Sequence, residues 1–433
     1  MIKRLLVGCL LGVSSLTMFA QSEYNYLSEA KPVEYTYNDY YYQRSSMFSE
    51  LPVTEGDFIF LGDSLTDGGQ WSEMFDNGSV KNRGIISDIV QGVYDRVDYV
   101  LKGHPKKMFL MIGVNDISHH LTNDSIVDAV EKLVVRIRKE SPKTELHLQS
   151  CLPINNTFRR YKNIFNKEDS VRIINVLLEQ VAEKHNVNWI NLYPAFADRQ
   201  CNLRKELTSD GLHLNEQGYK IWRSRVAKYI DPDQKFDDSE PLYKIDSENF
   251  VLAGNSIVRY GEWGELMGDH KVVDRGTGAD VVTYLPALAK NVAKNAPKGI
   301  LLLSTYNAVE NTPKGLNVSP DFDADEIVKK MEEAILAVKE VSPSTVIYLQ
   351  SLTPVNATYK KYAGFADKVK AVKSANKKLK KLAKKHKVVW LDLYPVFADK
   401  DGNLKAEFTN DGFHLMGKGY KAWAEVLKNC LNQ

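Results

Sequence analysis

The sequence of 433 residues lacks several features that would indicate a function at once. After residue 20 it has no apolar run near the ~18 residues of a membrane-spanning helix. Lysine and arginine (57) nearly balance aspartate and glutamate (55), so no basic surplus points to nucleic acid. A hydrophobic share of 43% excludes a disordered or collagen-like chain. The length and composition therefore indicate a globular protein of more than one domain.

Cysteine is scarce, and its spacing matches no metal site. No Cys-x-x-Cys pair occurs among the four cysteines Cys9, Cys151, Cys201 and Cys430. Without Cys9, which lies in the leader described next, an odd number remains, so one disulfide is allowed and none is required. The pair His119-His120 has no third ligand at helical spacing. We therefore predict neither a metal nor another cofactor.

The first 20 residues have the layout of a secretory signal peptide. Lys3 and Arg4 precede a mostly apolar stretch that ends at Ala20, where we expect cleavage. The stretch Leu6-Val7-Gly8-Cys9 looks like a lipoprotein signal, but the apolar run before Cys9 is shorter than the ~7 residues such a core needs. We predict an exported protein, periplasmic or secreted, with lipid anchoring at Cys9 as the alternative.

A long internal repeat dominates the sequence. Phe58–Leu65 returns as Phe250–Ile257, at an offset of 192 residues. Further along, the offset is 201, and it carries Asp210–His213 onto Asp411–His414. The second copy therefore contains nine extra residues, which we place in a long loop over residues 310–323 because Pro, Gly, Asn and Asp are frequent there.

The repeat also predicts the domain boundaries. We expect a signal peptide, an N-terminal extension, a first domain, an acidic linker and a second domain, over residues 1–20, 21–55, 56–230, 231–248 and 249–433. Each domain is long enough to bury its own core. Within the tyrosine-rich extension, Tyr40–Leu51 is expected to form a short helix that packs on the first domain.

Within each copy, short apolar runs alternate with helical patterns. In the first copy the runs with strand character are Phe58–Leu61, Met108–Ile112, Leu146–Leu148 and Trp189–Leu192. Alternation of strand and helix predicts an α/β fold with a parallel sheet between helices. Ligands of such sheets bind beyond the carboxyl ends of the strands, which is where Gly62-Asp63-Ser64 and Gly113-Val114-Asn115 lie.

The first copy contains every group that acyl transfer requires: a nucleophile, a base, a residue that orients the base, and oxyanion donors. Ser64 follows an apolar strand and would begin a helix, where free N–H groups favour negative charge. His213 is the candidate base, and Asp210, three residues earlier, can orient its ring. The candidate oxyanion donors are the Ser64 N–H, the Gly84 N–H and the Asn115 amide.

These motifs resemble the SGNH (GDSL) hydrolase superfamily, twice in tandem. Its four sequence blocks match Gly62-Asp63-Ser64-Leu65, Asn82-Arg83-Gly84, Gly113-Val114-Asn115-Asp116 and Asp210-Gly211-Leu212-His213. The resemblance implies two tandem flavodoxin-like three-layer α/β/α sandwiches with parallel sheets. It also implies Ser64 as nucleophile, His213 as base and Asp210 as its orienting residue. The implied oxyanion hole is formed by Ser64, Gly84 and Asn115.

Among subgroups, the chain is most similar to carbohydrate or sialate O-acetylesterases and to platelet-activating-factor acetylhydrolase-like esterases. Asn82-Arg83-Gly84-Ile85 and Leu148-Gln149-Ser150 carry this resemblance. It implies an exported serine esterase that removes short acyl groups, above all acetyl, from O-acetylated glycans or sialic acids. The alternative within the same enzyme class is a general short-chain or phospholipid-type esterase. The sequence has no signal for the oligomeric state.

The second copy keeps the reactive residues but alters their surroundings. The second candidate site comprises Ser256, Asp411, His414, Gly276 and Asn307. Around it, Asp63, Gly113 and Asp116 of the first copy are replaced by Asn255, Thr305 and Ala308. Two hypotheses stay open: a second active site, or a non-catalytic glycan-binding module that presents substrate to the first domain.

Four further residues are candidates for substrate contact. Trp71 and Trp263 recur beside the nucleophile block and could contact the acetyl group or the sugar, or simply pack the loop. Arg83 and Arg275 could pair with a substrate carboxylate such as that of a sialic acid. For the arginines, a structural ion pair is the favoured interpretation.

Overall fold

The computed structural model describes residues 37–278, 282–303, 309–312, 315–318, 323–359 and 368–431. The predicted signal peptide lies outside the described residues, as do Thr305, Asn307 and Ala308. The chain divides into two compact units. The first contains Val53–Gly69 and Asn82–Asp237, and the second contains Asp39–Pro52, Gln70–Lys81 and the described part of Asp238–Gln433.

Strands and helices alternate along the chain as the sequence predicts. The strands are β1 (Phe58–Gly62), β2 (Val80–Gly84), β3 (Lys107–Met111), β4 (Glu145–Gln149), β5 (Asn188–Ile190), β6 (Phe250–Gly254), β7 (Val272–Gly276), β8 (Gly299–Leu302), β9 (Val309–Thr312), β10 (Gly315–Val318), β11 (Val346–Gln350) and β12 (Val389–Leu391). The helices are α1 (Asp39–Glu50), α2 (Ser64–Asp67), α3 (Trp71–Met74), α4 (Val90–Arg96), α5 (Asp98–Leu101), α6 (Val114–Ser118), α7 (Asn123–Glu140), α8 (Glu168–Lys184), α9 (Tyr193–Phe196), α10 (Glu216–Ile230), α11 (Ser256–Arg259), α12 (Trp263–Met267), α13 (Leu285–Ala293), α14 (Ala324–Val341), α15 (Lys368–His386), α16 (Tyr394–Phe397) and α17 (Gly417–Leu431).

Each unit is built on a five-stranded parallel sheet. The order is β2-β1-β3-β4-β5 in the first and β7-β6-β8-β11-β12 in the second. Both follow the flavodoxin-like order: the second strand lies on one side of the first, and the third, fourth and fifth strands follow on its other side. The predicted fold is therefore confirmed, and the two copies in the sequence correspond to two copies of one sheet.

Apolar helix faces account for the core of the first unit. Helix α7 begins after Thr122, whose side chain accepts a hydrogen bond from the Ser125 N–H and so caps the helix. Residues spaced three and four apart on α7 and α8 are buried against the sheet: Ile126, Val130, Leu133, Ile137, Val171, Ile174, Leu178 and Val181. This packing fixes the strands whose carboxyl ends carry the candidate site.

Part of the segment that holds the extra residues of the second copy forms a pair of strands. Strands β9 and β10 pair antiparallel, with Val309 opposite Val318, inside the segment that was expected to be irregular. The prediction of a long loop over residues 310–323 is therefore wrong for this part. The prediction rested on the high content of Pro, Gly, Asn and Asp, which is typical of a hairpin turn as well as of a loop.

The predicted N-terminal helix forms, but it belongs to the second unit. Helix α1 belongs to the same compact unit as the second sheet. Its residues Met47 and Phe48 are fully buried, and its closest helical neighbour is α17, the last helix of that unit. The prediction that this helix packs on the first domain is therefore wrong, because its apolar face is complementary to a helix almost 370 residues later.

Candidate active site

The carboxyl ends of β1 and β3 bring the first motifs together. Gly62 ends β1 opposite Met111, the last residue of β3. A side chain at position 62 would collide with the Met111 carbonyl, because a Cβ atom there would lie 2.2 Å from that oxygen. Glycine is therefore required for the close approach that places Ser64, at the start of α2, above the sheet.

Ser64, His213 and Asp210 form a continuous hydrogen-bonded series. The Ser64 Oγ lies 2.9 Å from His213 Nε2, and His213 Nδ1 lies 2.8 Å from Asp210 Oδ2. Ser64 is 8% exposed, while the His213 side chain is 36% exposed, so solvent reaches the imidazole. This is the geometry in which a histidine can take a proton from a serine hydroxyl.

The Asp210 carboxylate is held by donors on both oxygens. Its Oδ1 accepts the N–H groups of Leu212 at 2.9 Å and His213 at 2.8 Å. Burial alone would raise the pKa of Asp210, but the hydrogen bonds from the His213 side chain and these backbone groups hold it well below its ordinary value. Asp210 is therefore an anion that can orient the His213 ring and stabilise its protonated form.

Sequence reasoning missed Tyr161, which contacts two members of this series. Its hydroxyl donates to Asp210 Oδ2 at 2.8 Å and lies 3.0 Å from His213 Nδ1. Burial and the neighbouring Asp210 carboxylate raise the pKa of Tyr161 to about 12, so the hydroxyl remains a donor. A signal was available, since the offset of 201 places Tyr362 at the same position of the second copy.

The candidate oxyanion donors differ in what they already bond. Asn115 Nδ2 donates to the Asp88 carbonyl at 2.8 Å, which fixes the amide and leaves its second N–H as the candidate oxyanion donor. The Gly84 N–H donates to Asn82 Oδ1 at 2.8 Å and is buried, a placement that does not support its predicted role. In the sequence, Ser87 lies between Gly84 and Asn115. It is exposed and adopts a φ of 64°, a left-handed conformation that is unusual for serine and frequent at functional sites.

Asp63 has a structural role beside the nucleophile. Its Oδ1 caps α2 by accepting the Leu65 N–H at 3.0 Å, while its Oδ2 is buried without a hydrogen-bond partner among the described residues. Burial raises the pKa of Asp63 to about 7, and the nearby Asp88 and Asp116 carboxylates add to the shift. In the second copy, the uncharged Asn255 caps α11 in the same way through the Ile257 N–H at 3.0 Å.

The Asp63→Asn variant should be more stable than the wild type above pH 7 and nearly equal to it at pH 4. Since the folded-state pKa is above the ordinary value, the wild type loses stability as pH rises from about 4 to about 7, and asparagine removes this dependence. We expect a gain of roughly 1–3 kcal/mol at pH 8, the usual penalty for a buried unpaired polar group.

Urea unfolding at pH 4 and pH 8 measures this difference. The matched control is Asn255→Asp, which should introduce the same pH dependence into the second unit. A destabilisation by Asp63→Asn of equal size at both pH values would contradict the role assigned to the Asp63 carboxyl group.

The second unit contains a matching series. The Ser256 Oγ lies 3.1 Å from His414 Nε2, and His414 Nδ1 lies 2.7 Å from Asp411 Oδ2. Burial would raise the pKa of Asp411, but hydrogen bonds led by the one from His414 lower it to about 2. The Gly276 N–H donates to Asp274 Oδ1 at 2.5 Å, so it resembles Gly84 in being already bonded.

Three of the four predicted substrate contacts are buried, and the fourth is largely buried. Trp71, Trp263 and Arg83 are at most 2% exposed, and Trp263 Nε1 donates to the Val258 carbonyl. Arg275 forms a largely buried ion pair with Glu73. These positions favour the packing and ion-pair alternatives, and they do not support direct contact of these side chains with a substrate.

Cys151, Cys201 and Cys430 are free thiols. Within the described ranges, no cluster of three or more His, Cys, Asp or Glu side chains could hold a metal ion. In the same part of the chain, no helix has the length and apolar character needed to cross a membrane.

Each unit has an α/β architecture, and each contains a serine, a histidine and an aspartate in one hydrogen-bonded series. The model of the GDSL-like Lipase/Acylhydrolase family matches residues 60–221 and again residues 259–422. Because these matches cover more than half of the chain, the protein belongs to this family of ester hydrolases, with one copy of the family domain in each half.

Similar proteins are distant. N-acylneuraminate cytidylyltransferase from Escherichia coli O18:K1:H7 is 25% identical over 179 residues, which are 40% of this chain and 40% of that protein. This chain thus spans less than half the length of that relative. Among solved structures, a proposed platelet activating factor from Streptococcus pneumonia is 23% identical and covers 51% of this chain and 99% of its own, with a TM-score of 0.41. An acetylxylan esterase from Geobacillus stearothermophilus is 18% identical and covers 41% of this chain and 95% of its own, with a TM-score of 0.35.

Proposed function

We propose that the protein is an exported esterase that removes short acyl groups, above all acetyl, from carbohydrate. The observation that carries the ester chemistry is the series Ser64–His213–Asp210, with 2.9 Å and 2.8 Å between the bonding atoms. Membership of an acylhydrolase family supports the same reaction class. Export rests on the charged and apolar pattern of residues 1–20.

The reaction would run in two halves through an acyl-enzyme. His213 Nε2 takes the proton of Ser64 as its Oγ bonds to the ester carbonyl carbon, and the carbonyl oxygen becomes an oxyanion. Collapse of this intermediate breaks the bond to the sugar oxygen, which leaves with the proton from His213. Water then gives a proton to His213 as its oxygen bonds to the acyl carbon. Collapse of this second intermediate breaks the bond between the acyl carbon and Ser64 Oγ, and His213 returns the proton to Oγ, so that the carboxylic acid and free Ser64 are released.

The oxyanion would be stabilised by donors that are fixed before the reaction. We propose the Ser64 N–H and the free N–H of the Asn115 amide, whose other N–H is anchored on Asp88. For the third donor, the exposed and strained backbone of Ser87 is a better candidate than the bonded Gly84 N–H.

A substrate panel tests the acyl group and the carbohydrate. We expect acetate release from O-acetylated xylo-oligosaccharides or O-acetylated sialic acid to exceed hydrolysis of octanoyl or longer esters by at least about 100-fold in kcat/KM. The acetylxylan esterase and the N-acylneuraminate enzyme among the similar proteins only guide the choice of sugars. A preference for long-chain or phospholipid esters would contradict the carbohydrate proposal.

We propose that the second site is also an esterase, because Ser256, His414 and Asp411 keep hydrogen-bond distances of 3.1 Å and 2.7 Å. Under this proposal, the Ser64→Ala enzyme retains turnover that the further change Ser256→Ala removes. If Ser64→Ala abolishes turnover and Ser256→Ala leaves it unchanged, the result would instead support the hypothesis that the second unit is a glycan-binding module.

A further inference from the structure

The N-terminal helix α1 is tightly fitted to the second unit. A Cβ atom at position 417 would lie 2.3 Å from the Ser46 carbonyl oxygen, so only glycine allows α17 to approach α1 this closely. The Gly417 N–H also donates to Ser46 Oγ at 2.9 Å. At the corresponding position of the first copy, 201 residues earlier, the exposed Glu216 begins α10.

One side chain of this helix reaches the second series directly. Gln43 is 3% exposed, and its Nε2 donates to Asp411 Oδ2 at 3.0 Å. This is the same carboxylate oxygen that lies 2.7 Å from His414 Nδ1. Gln43 therefore bonds the group that orients the candidate base.

A neighbouring residue fixes Gln43 in this position. The Gln43 Nε2 also donates to Asn410 Oδ1 at 2.8 Å, and Asn410 Nδ2 donates to the Asp39 carbonyl of α1 at 3.0 Å. The first copy has Ser209 at the position of Asn410. Asn410 and Gly417 thus differ from the first copy at two places where the second unit contacts α1.

Among the residues that the structure describes, the two units differ in which further side chain donates to the aspartate of each series. In the first unit the Tyr161 hydroxyl donates to Asp210 Oδ2 at 2.8 Å, and in the second Gln43 donates to Asp411 Oδ2 at 3.0 Å. The second site is also more enclosed, since the His414 side chain is 14% exposed and that of His213 is 36% exposed.

We infer that Gln43 is a positioning residue of the second site, and that this site is assembled from the N-terminal helix as well as from the second sheet. The inference rests on the proposed esterase activity of Ser256. By holding Oδ2, Gln43 restricts the rotation of the Asp411 carboxylate and keeps it aligned with His414 Nδ1. A hydrogen bond to a charged group is among the stronger ones in proteins, so its loss has a measurable effect.

The test uses the full mature chain with Ser64→Ala, in which turnover comes from the second site. Gln43→Met, which keeps the length of the side chain and removes the donor, should lower kcat by about 10-fold or more with little change in KM. With Ser256→Ala instead, Gln43→Met should change first-site turnover by less than about twofold. Ser49→Ala, an exposed position of the same helix, is the matched control and should affect neither site.

A second measurement separates positioning from mere folding. In the protein with His213→Ala, the proton NMR signal of His414 Nδ1–H should shift or broaden in Gln43→Met, while the unfolding temperature stays within a few degrees of the parent. If Gln43→Met leaves both kcat and this signal unchanged, the inference is overturned.

If Ser64→Ala has no turnover and Ser256 resists a fluorophosphonate, the esterase proposal fails for the second site. The NMR signal then decides the Gln43 inference by itself.

Discussion

Ser64→Ala, introduced into a protein that already carries Ser256→Ala, should abolish ester hydrolysis, with a loss on the order of 10⁵-fold in kcat. Alanine has no oxygen to form the acyl-enzyme, and His213 then has no hydroxyl to activate at 2.9 Å. The Ser256→Ala background is needed because a functional Ser256 would conceal the loss of turnover at the first site. The measurement is steady-state hydrolysis of a chromogenic acetate ester.

A covalent probe gives the same answer without turnover. A fluorophosphonate should label Ser64 in the Ser256→Ala protein, and labelling should disappear in the double variant. Ser224→Ala is the matched control, because the Ser224 hydroxyl is exposed and donates only within its own helix, to the Ile221 carbonyl at 2.8 Å. Hydrolysis that survives in the double variant would contradict both assigned nucleophiles.

Asp210→Asn should lower first-site kcat by about 10⁴-fold while leaving the fold intact. The reason lies in how the carboxylate is held. Its Oδ1 accepts two backbone N–H groups, from Leu212 and His213, so the carbonyl oxygen of asparagine will occupy this position. The amide NH₂ must then face His213 Nδ1, which forces the ring to carry its proton on Nε2, where it cannot accept the proton of Ser64.

The measurement is kcat in the Ser256→Ala background, with the unfolding temperature followed in parallel. Asp198→Asn is the matched control, because Asp198 Oδ1 likewise accepts two backbone N–H groups, from Gln200 and Asn202, away from the series. It should leave kcat within about twofold. Full activity in Asp210→Asn would show that Asp210 does not set the protonation of the His213 ring.

The repeat made much of this molecule predictable. Ser64 comes directly after a buried apolar run. Its position at the carboxyl end of a parallel strand could therefore be predicted from the pattern of apolar residues and the topology of such sheets. The offsets of 192 and 201 then predict the second sheet and the second series without any further assumption. Asp210 and His213 were within reach of sequence reasoning because they lie three residues apart, in one turn.

Residues that act through tertiary contact could not be predicted in this way. Gln43 and Asp411 are separated by 368 positions, and no local pattern connects them. Gly84 was predicted to donate to an oxyanion, but the direction of an N–H depends on neighbours such as Asn82, whose Oδ1 accepts it. Trp71 and Trp263 were ambiguous because a large aromatic side chain has the same pattern in a core as in a binding site.

The order in which the chain is made has a consequence for its second half. Helix α1 lies near the start of the chain and leaves the ribosome early, but the Gly417 N–H that bonds its Ser46 is 371 positions later. Its apolar residues Met47 and Phe48 are fully buried in the folded protein, in a unit whose last helix is made only at the end of synthesis. Contacts between such distant segments form slowly and leave apolar surface exposed meanwhile. The first sheet can therefore fold during synthesis, whereas the second unit is complete only when its last helix has been made. A chain truncated before α17 would leave uncovered the face of α1 that packs on this helix.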